Sequence, residues 1–335
     1  MIDQIRPVRL LSVARIESPI TRVQQAIIMP HEILHLIGAK QQARQGPFVP
    51  TLYIGLGGTG RDVLMRLRKR WHDQDGPGRR PHLRYFMADM DSFQWWPSGA
   101  RQEEYEPVRP QPEEWIDCRI SESQFHAAFD GLRNVRDGRL VGWLRPALQG
   151  LGAACVVNGA GTQRQFGRLA FILNFREIRQ RIHHQLQDML DDVRRLGPAD
   201  AHGAPVQMNA VEVVIVTSLC GGAGSGMLLD TAYLVRDILR SNPVFRGLAT
   251  KQVTVIAVMP SVFQALLHDG MFRRLQQNAY AALLEMEHYG TRWTDADMFL
   301  GPGWHWEQDR NRVGFLAPWK HDPSHRPPPC PRRRD

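Results

Sequence analysis

The chain has 335 residues, 43% of them apolar, with 42 Lys and Arg against 34 Asp and Glu and a formal net charge of +8. That apolar fraction supports a packed core and a globular α/β protein in one large domain or two small ones. The basic excess is almost all arginine and is scattered apart from Arg332, Arg333 and Arg334; lacking a basic stripe interleaved with aromatics, it reads as a solvated surface and argues against nucleic acid.

Residues 1 to 46 read as an independent extension, with no uninterrupted apolar stretch long enough for a secretory core. Within it, His31, Glu32 and His35 form an HExxH, the spacing at which two histidines share a helical face with a general base. The extended pattern wants a third histidine where Gln41 stands, and a different domain begins within fifteen residues, so no metal site is expected.

From residue 47 to 290 short β-rich runs alternate with helical stretches, the signature of a parallel sheet covered by helices. Leu52 to Ile54, Leu83 to Ala88, Ala153 to Val157, Val211 to Val216 and Val253 to Val258 read as strands one to five, most of them apolar enough to be buried on both faces. Between them, Thr59 to Trp71 places Val63, Leu64 and Leu67 on one side and Arg61, Arg66, Arg68 and Arg70 on the others, as a surface helix would. Phe166 to Leu196, Met227 to Arg240 and Met271 to Tyr289 complete the helices.

Residues 92 to 150 interrupt the rhythm after strand two with a connection far longer than usual. It reads either as a packed subdomain or as a partner surface built on Trp95, Trp96 and Trp115. From residue 291 the pattern fails, and the Pro- and Arg-rich tail to 335 is too polar to bury a core. The longest uncharged run, Val213 to Leu229, is glycine-rich and shorter than the ~20 residues of a membrane helix, so no membrane span is expected. Cysteines 118, 155, 220 and 330 stand far apart with no CxxC pair, which fits a reduced compartment, the cytoplasm.

Two glycine loops carry the functional signal. GLGGTG, residues 55 to 60, and CGGAGSG, residues 220 to 226, each follow a strand and open a helix, where backbone amides and the helix dipole can receive a phosphate. In a doubly wound sheet of order 3-2-1-4-5 they flank the topological switch point and face one crevice. One such loop suits a dinucleotide; two suit a nucleoside triphosphate. Neither holds the lysine of a P-loop, so neutralisation falls to amides, dipoles and Mg2+. Gly57, Gly58, Thr59 and Gly60 would meet the nearer phosphates, and Gly221, Gly222, Ala223, Gly224, Ser225 and Gly226 the farther ones. Asp89 and Asp91, ending strand two, could hold Mg2+ through water, accept a ribose hydroxyl or simply form the turn. Gly159, Ala160 and Gly161 could reach the terminal phosphate, with Arg164 or Arg168 at the rim.

The ordered succession GLGGTG, FMADMDS, NGAGTQRQFGR and CGGAGSG resembles the nucleotide loops of the tubulin and FtsZ superfamily, most closely its bacterial tubulin-like branch. LQQNAYAALLEME is similar to the segment whose asparagine contacts guanine, which implies that role for Asn278. The resemblance spans roughly residues 48 to 290. It implies binding of GTP, with hydrolysis coupled to polymerisation in a cytoskeletal GTPase. Cys220 and Ala223 depart from the usual glycine and threonine, and no match to the second domain with its activating acidic loop follows residue 291. Weak hydrolysis and weak self-association are therefore expected. The rival readings are an NAD(P)-dependent oxidoreductase, in which the second loop is idle, and a non-catalytic scaffold that binds a partner through residues 92 to 150.

Overall fold

The computed structural model describes residues 9–10, 47–76, 80–91, 94–133, 143–151, 159–198 and 205–291. Its centre is a parallel sheet of six strands: β1 (Arg9–Leu10), β2 (Thr51–Leu56), β3 (Leu83–Asp89), β4 (Trp115–Asp117), β5 (Ala210–Ser218) and β6 (Thr250–Val258). They lie in the order β1-β6-β5-β2-β3-β4, every pairing parallel. The five strands β2 to β6 thus take the expected 3-2-1-4-5 arrangement, with the switch point between β2 and β5.

Ala153 to Val157, read as strand three, lies outside the described residues, and the third position is taken by another segment. That segment is Trp115–Asp117, from the stretch expected as an insertion, with Met87 opposite Trp115 and Asp89 opposite Asp117. A three-residue edge strand is too short to show alternation, and its flanking prolines and charges disguise it. Trp95 and Trp115 are accordingly 3% and 8% exposed and pack beneath α1 (Gly57–Asp75), so two of the three tryptophans expected to present a partner surface are core residues, while Trp96 is partly buried beside them.

Strand alternation distributes the core between two layers. Tyr53, Tyr85, Met87, Val214 and Val216 face α1 through Val63, Leu64 and Leu67. Leu52, Ile54, Leu56, Phe86, Val213, Ile215 and Val255 face the other side. There they meet α3 (Glu122–Arg133), α4 (Arg164–Leu196), α5 (Ala223–Ser241) and α7 (Asp269–Thr291). Two single-turn helices, α2 (Gln102–Tyr105) and α6 (Pro243–Arg246), sit in the connections. With helices on both faces every strand of the central pair is fully buried, which explains their largely apolar runs, broken in β5 by the buried Glu212.

The arginine-rich surface is less solvated than its composition predicts. Arg61, Arg84 and Arg236 are 2%, 1% and 3% exposed. Arg84 pairs with Asp192 and donates to the carbonyls of Pro81 and Leu83, so α4 is pinned over the start of β3 by a buried charge. Arg68 donates to Glu114 at 2.6 Å and ties α1 to the edge of the sheet.

Candidate functional site

The site begins where β2 and β5 end. Gly57 is the first residue of α1, with φ at +68°, a left-handed conformation that favours glycine and turns the chain sharply from strand to helix. A Cβ there would lie 2.8 Å from the amide nitrogen of Gly224 in the first turn of α5. Thr217 Oγ1 donates to the carbonyl of Leu56 across the same junction at 3.2 Å. The two glycine loops therefore meet, one helix starting on each face of the sheet. Neither Leu56 before α1 nor Gly222 before α5 supplies a side-chain cap. Two sets of first-turn amides, with the positive ends of two helix dipoles, converge on one crevice.

Within these loops the glycines do different jobs. At Gly60 a Cβ would come 2.5 Å from the carbonyl oxygen of Val216, so this residue lets α1 lie against β5. At Gly224 it would meet Thr217 Oγ1 at 2.3 Å and the Leu56 carbonyl at 2.5 Å, and at Gly226 the Arg164 carbonyl at 2.2 Å. These three, expected to meet phosphates, serve backbone packing through their Cα faces. Gly222 also lies against Ala160 and Gly161, whose carbonyl accepts from its amide at 3.1 Å. Gly221 is different: partly exposed, with open space where a side chain would go. Gly58 and Thr59 are likewise partly exposed at the start of α1. Gly161, at φ +53°, has nothing within 4 Å of a built Cβ. The third loop thus joins the crevice beside CGGAGSG, while Gly159 approaches Asp91 and the carbonyl of Met90.

Asp89 is 2% exposed at the end of β3, and its Oδ1 accepts from the amides of Met90 at 2.8 Å and Asp91 at 3.3 Å. Its Oδ2 faces Arg61 Nη1 at 3.4 Å. Burial pushes its carboxyl up to about 6, against the opposing Arg61 guanidinium and the two amides. Arg61 also reaches Asp62 and Ser98. Sequence periodicity placed Arg61 on a solvated face; instead it braces the second loop from the first turn of α1. Its closeness to a glycine turn and to a strand-end aspartate was the available signal.

The Arg168 side chain is committed to partners within the protein. It pairs with Asp230 on α5 at 3.0 Å and lies over the Trp143 ring at 5.0 Å, a contact between helices. Arg164 is the arginine at the loop: its Nε donates to Ser225 Oγ at 2.8 Å, and its two Nη atoms take the Glu285 carboxylate. Asn278, on α7, donates through Nδ2 to the carbonyls of Thr162 and Cys220, both at 2.8 Å. Two carbonyl acceptors set its amide orientation, so Nδ2 is committed to joining the third loop to CGGAGSG and the acceptor Oδ1 remains for a ligand donor.

Open space at Gly221 and Gly161 beside uncapped amides fits a polyphosphate. A protein-held Mg2+ fits less well, because Asp89 is committed to Arg61 and to backbone amides. Among the described residues, no group of three or more His, Cys, Asp or Glu side chains could hold a metal ion. No helix among them is long and apolar enough to cross a membrane. His31, Glu32 and His35 lie outside the described residues. Cys220, the first residue of the loop, is buried, and burial raises its thiol to about 11, so it is a protonated packing residue at neutral pH.

A doubly wound parallel sheet with phosphate-type glycine turns at its switch point defines a nucleotide-binding α/β class. The chain belongs to the tubulin-like family, whose model matches residues 52–311. Among solved structures, the chain is similar to the GDP-bound monomer of CetZ1 from Haloferax volcanii, at 12% identity and a TM-score of 0.34. That match covers 70% of this chain and 46% of CetZ1, so the chain spans less than half the length of that protein. No curated protein matches it.

Proposed function

We propose that the chain binds GTP, its polyphosphate lying between the first turns of α1 and α5. The observation that carries this is the contact of two uncapped helix starts at Gly57 and Gly224, which doubles the amide donors and dipole charge that a single dinucleotide turn supplies. Gly58, Thr59, Gly221, Ala223 and Ser225 are the phosphate-facing residues of this reading, and Gly161 closes the third side. Asp91, exposed at the rim beside Gly159, is the carboxylate this reading assigns to a ribose hydroxyl. Asn278 Oδ1, an acceptor, suits the N–H groups on the guanine edge. Mg2+ arrives with the nucleotide, coordinated by phosphate oxygens and water rather than by a protein cage.

Turnover is slow in this reading. A general base needs a free acceptor within reach of the attacking water, whereas Asp89, Asp230 and Glu285 are each engaged by an arginine.

Calorimetric titration with GTP, ATP and NADH, each with Mg2+, tests it on the wild type and on Gly221→Asp. Gly221 is the position to change because a side chain there enters open space, whereas Gly224→Asp would drive Cβ into the Leu56 carbonyl and disturb the fold itself. GTP is expected to bind the wild type, and the variant to keep its fold and lose at least about a hundred-fold in affinity, from a carboxylate set against phosphate. NADH binding that survives Gly221→Asp would return the chain to the oxidoreductases.

A further inference from the structure

The loop CGGAGSG contains no cation, yet a guanidinium is built into its wall. Arg164 is the first residue of α4, and its side chain is 14% exposed. Its planar fork is saturated on two edges. Nη1 and Nη2 grip the two oxygens of Glu285 at 2.9 and 2.5 Å, while Nε points the other way and donates to Ser225 Oγ at 2.8 Å. Nη2 also lies 3.5 Å from the Ser225 carbonyl. Three helices thus contribute one residue each, α4, α5 and α7, to a single hydrogen-bonded row.

That row determines where a proton points. A serine hydroxyl has one donor and two acceptor lone pairs. Arg164 Nε–H occupies an acceptor position of Ser225, so the Ser225 proton cannot be directed at Arg164. Ser225 is 2% exposed and stands in the first turn of α5, beside the amides that face the crevice. We infer that Arg164 is a positioning residue for the phosphate site: held by Glu285, it turns the Ser225 O–H toward a phosphate oxygen. This rests on the triphosphate reading above. Lysine cannot replace it, because a single ammonium lacks the fork that serves a carboxylate on one edge and a hydroxyl on the other.

The test is a double-mutant cycle on Arg164→Lys and Ser225→Ala, reading GTP affinity by calorimetry and the melting temperature of the nucleotide-free chain. Each single change is expected to weaken GTP binding about ten-fold, the worth of one well-made hydrogen bond to a charged group. Arg164→Lys should add nothing once Ser225 is alanine, and Glu285→Gln should behave as a milder Arg164→Lys. A hundred-fold additive loss in the double variant would mean that Arg164 contacts phosphate directly, and would overturn the inference. So would a loss that tracks the melting temperature equally in both Ser225 backgrounds, the mark of a merely structural ion pair, and so would wild-type affinity in Arg164→Lys. If the wild type binds no nucleotide at all, the parent reading fails first and the inference falls with it.

Discussion

At the scale of single residues, the site is assembled from groups whose environment rather than identity decides their role. Asp89 illustrates this. As a strand-end aspartate it was equally a metal ligand, a ribose acceptor or a turn former; buried opposite Arg61, it organises the backbone of its own loop. Its folded pKa of about 6 exceeds the ordinary 3.8, so the folded chain binds this proton more tightly than the unfolded one. The Asp89 contribution to stability is therefore greatest at low pH and is lost as pH rises from about 4 through 6. Chemical denaturation of the wild type and Asp89→Asn across pH 4 to 7 should show the wild type gaining on the variant as pH falls. A difference between the two that stayed flat across that window would refute the assignment. Asn278 and Arg168 teach the complementary lesson: both were legible as polar residues near a loop, but which atoms they spend on the protein itself appears only when Thr162, Cys220 and Asp230 come into reach.

At the scale of elements, the fold depends on helices lying unusually close to strands and to one another. Gly226 and Gly167 sit where α5 crosses α4, Gly226 facing the backbone of Arg164, Gly167 and Arg168 and Gly167 that of Gly222 and Ala223, and Gly60 sits where α1 meets β5. Gly226→Ala is expected to cost about 1–3 kcal/mol in denaturant unfolding, with or without nucleotide, because its Cβ would lie 2.2 Å from the Arg164 carbonyl. Gly221→Ala, five residues away in the same loop, has open space and should change stability by about 0.5–1 kcal/mol or less. Equal effects at the two positions would contradict the division of labour within CGGAGSG. Element types were largely legible beforehand, because β2, β3, β5 and β6 are predominantly apolar runs and α1 and α5 repeat at helical spacing. The edge strand Trp115–Asp117 was not: three residues carry no period, and only pairing with Met87, Ala88 and Asp89 makes them a strand.

At the scale of the whole molecule, nucleotide would bridge loops that follow β2, β3 and β5 and the third loop that opens α4, which together reach both faces of the sheet. A ligand that binds only the folded chain should stabilise all of it together, by about 2.7 kcal/mol at a concentration of 100 Kd. A cooperative rise in melting temperature with GTP, absent in Gly221→Asp, is the expected result. A rise that persists in the variant would place the nucleotide elsewhere.

The local pattern of residues by itself determined the parallel α/β class and the two phosphate-type turns, because alternating periodicity and glycine punctuation are properties of short stretches of chain; the strand order, with Trp115–Asp117 in its third place, came from pairing in the tertiary structure. It also marked the two loops that hold Gly57, Gly221 and Ser225, which the fold brings together at the ends of β2 and β5. What only the tertiary structure decided is which glycines face open space and which face backbone, and which arginine stands at the loop. Close approach, burial and ion pairing depend on residues far apart in the chain, as Arg164 shows with Ser225 and Glu285, 61 and 121 positions away, and no local spacing encodes them.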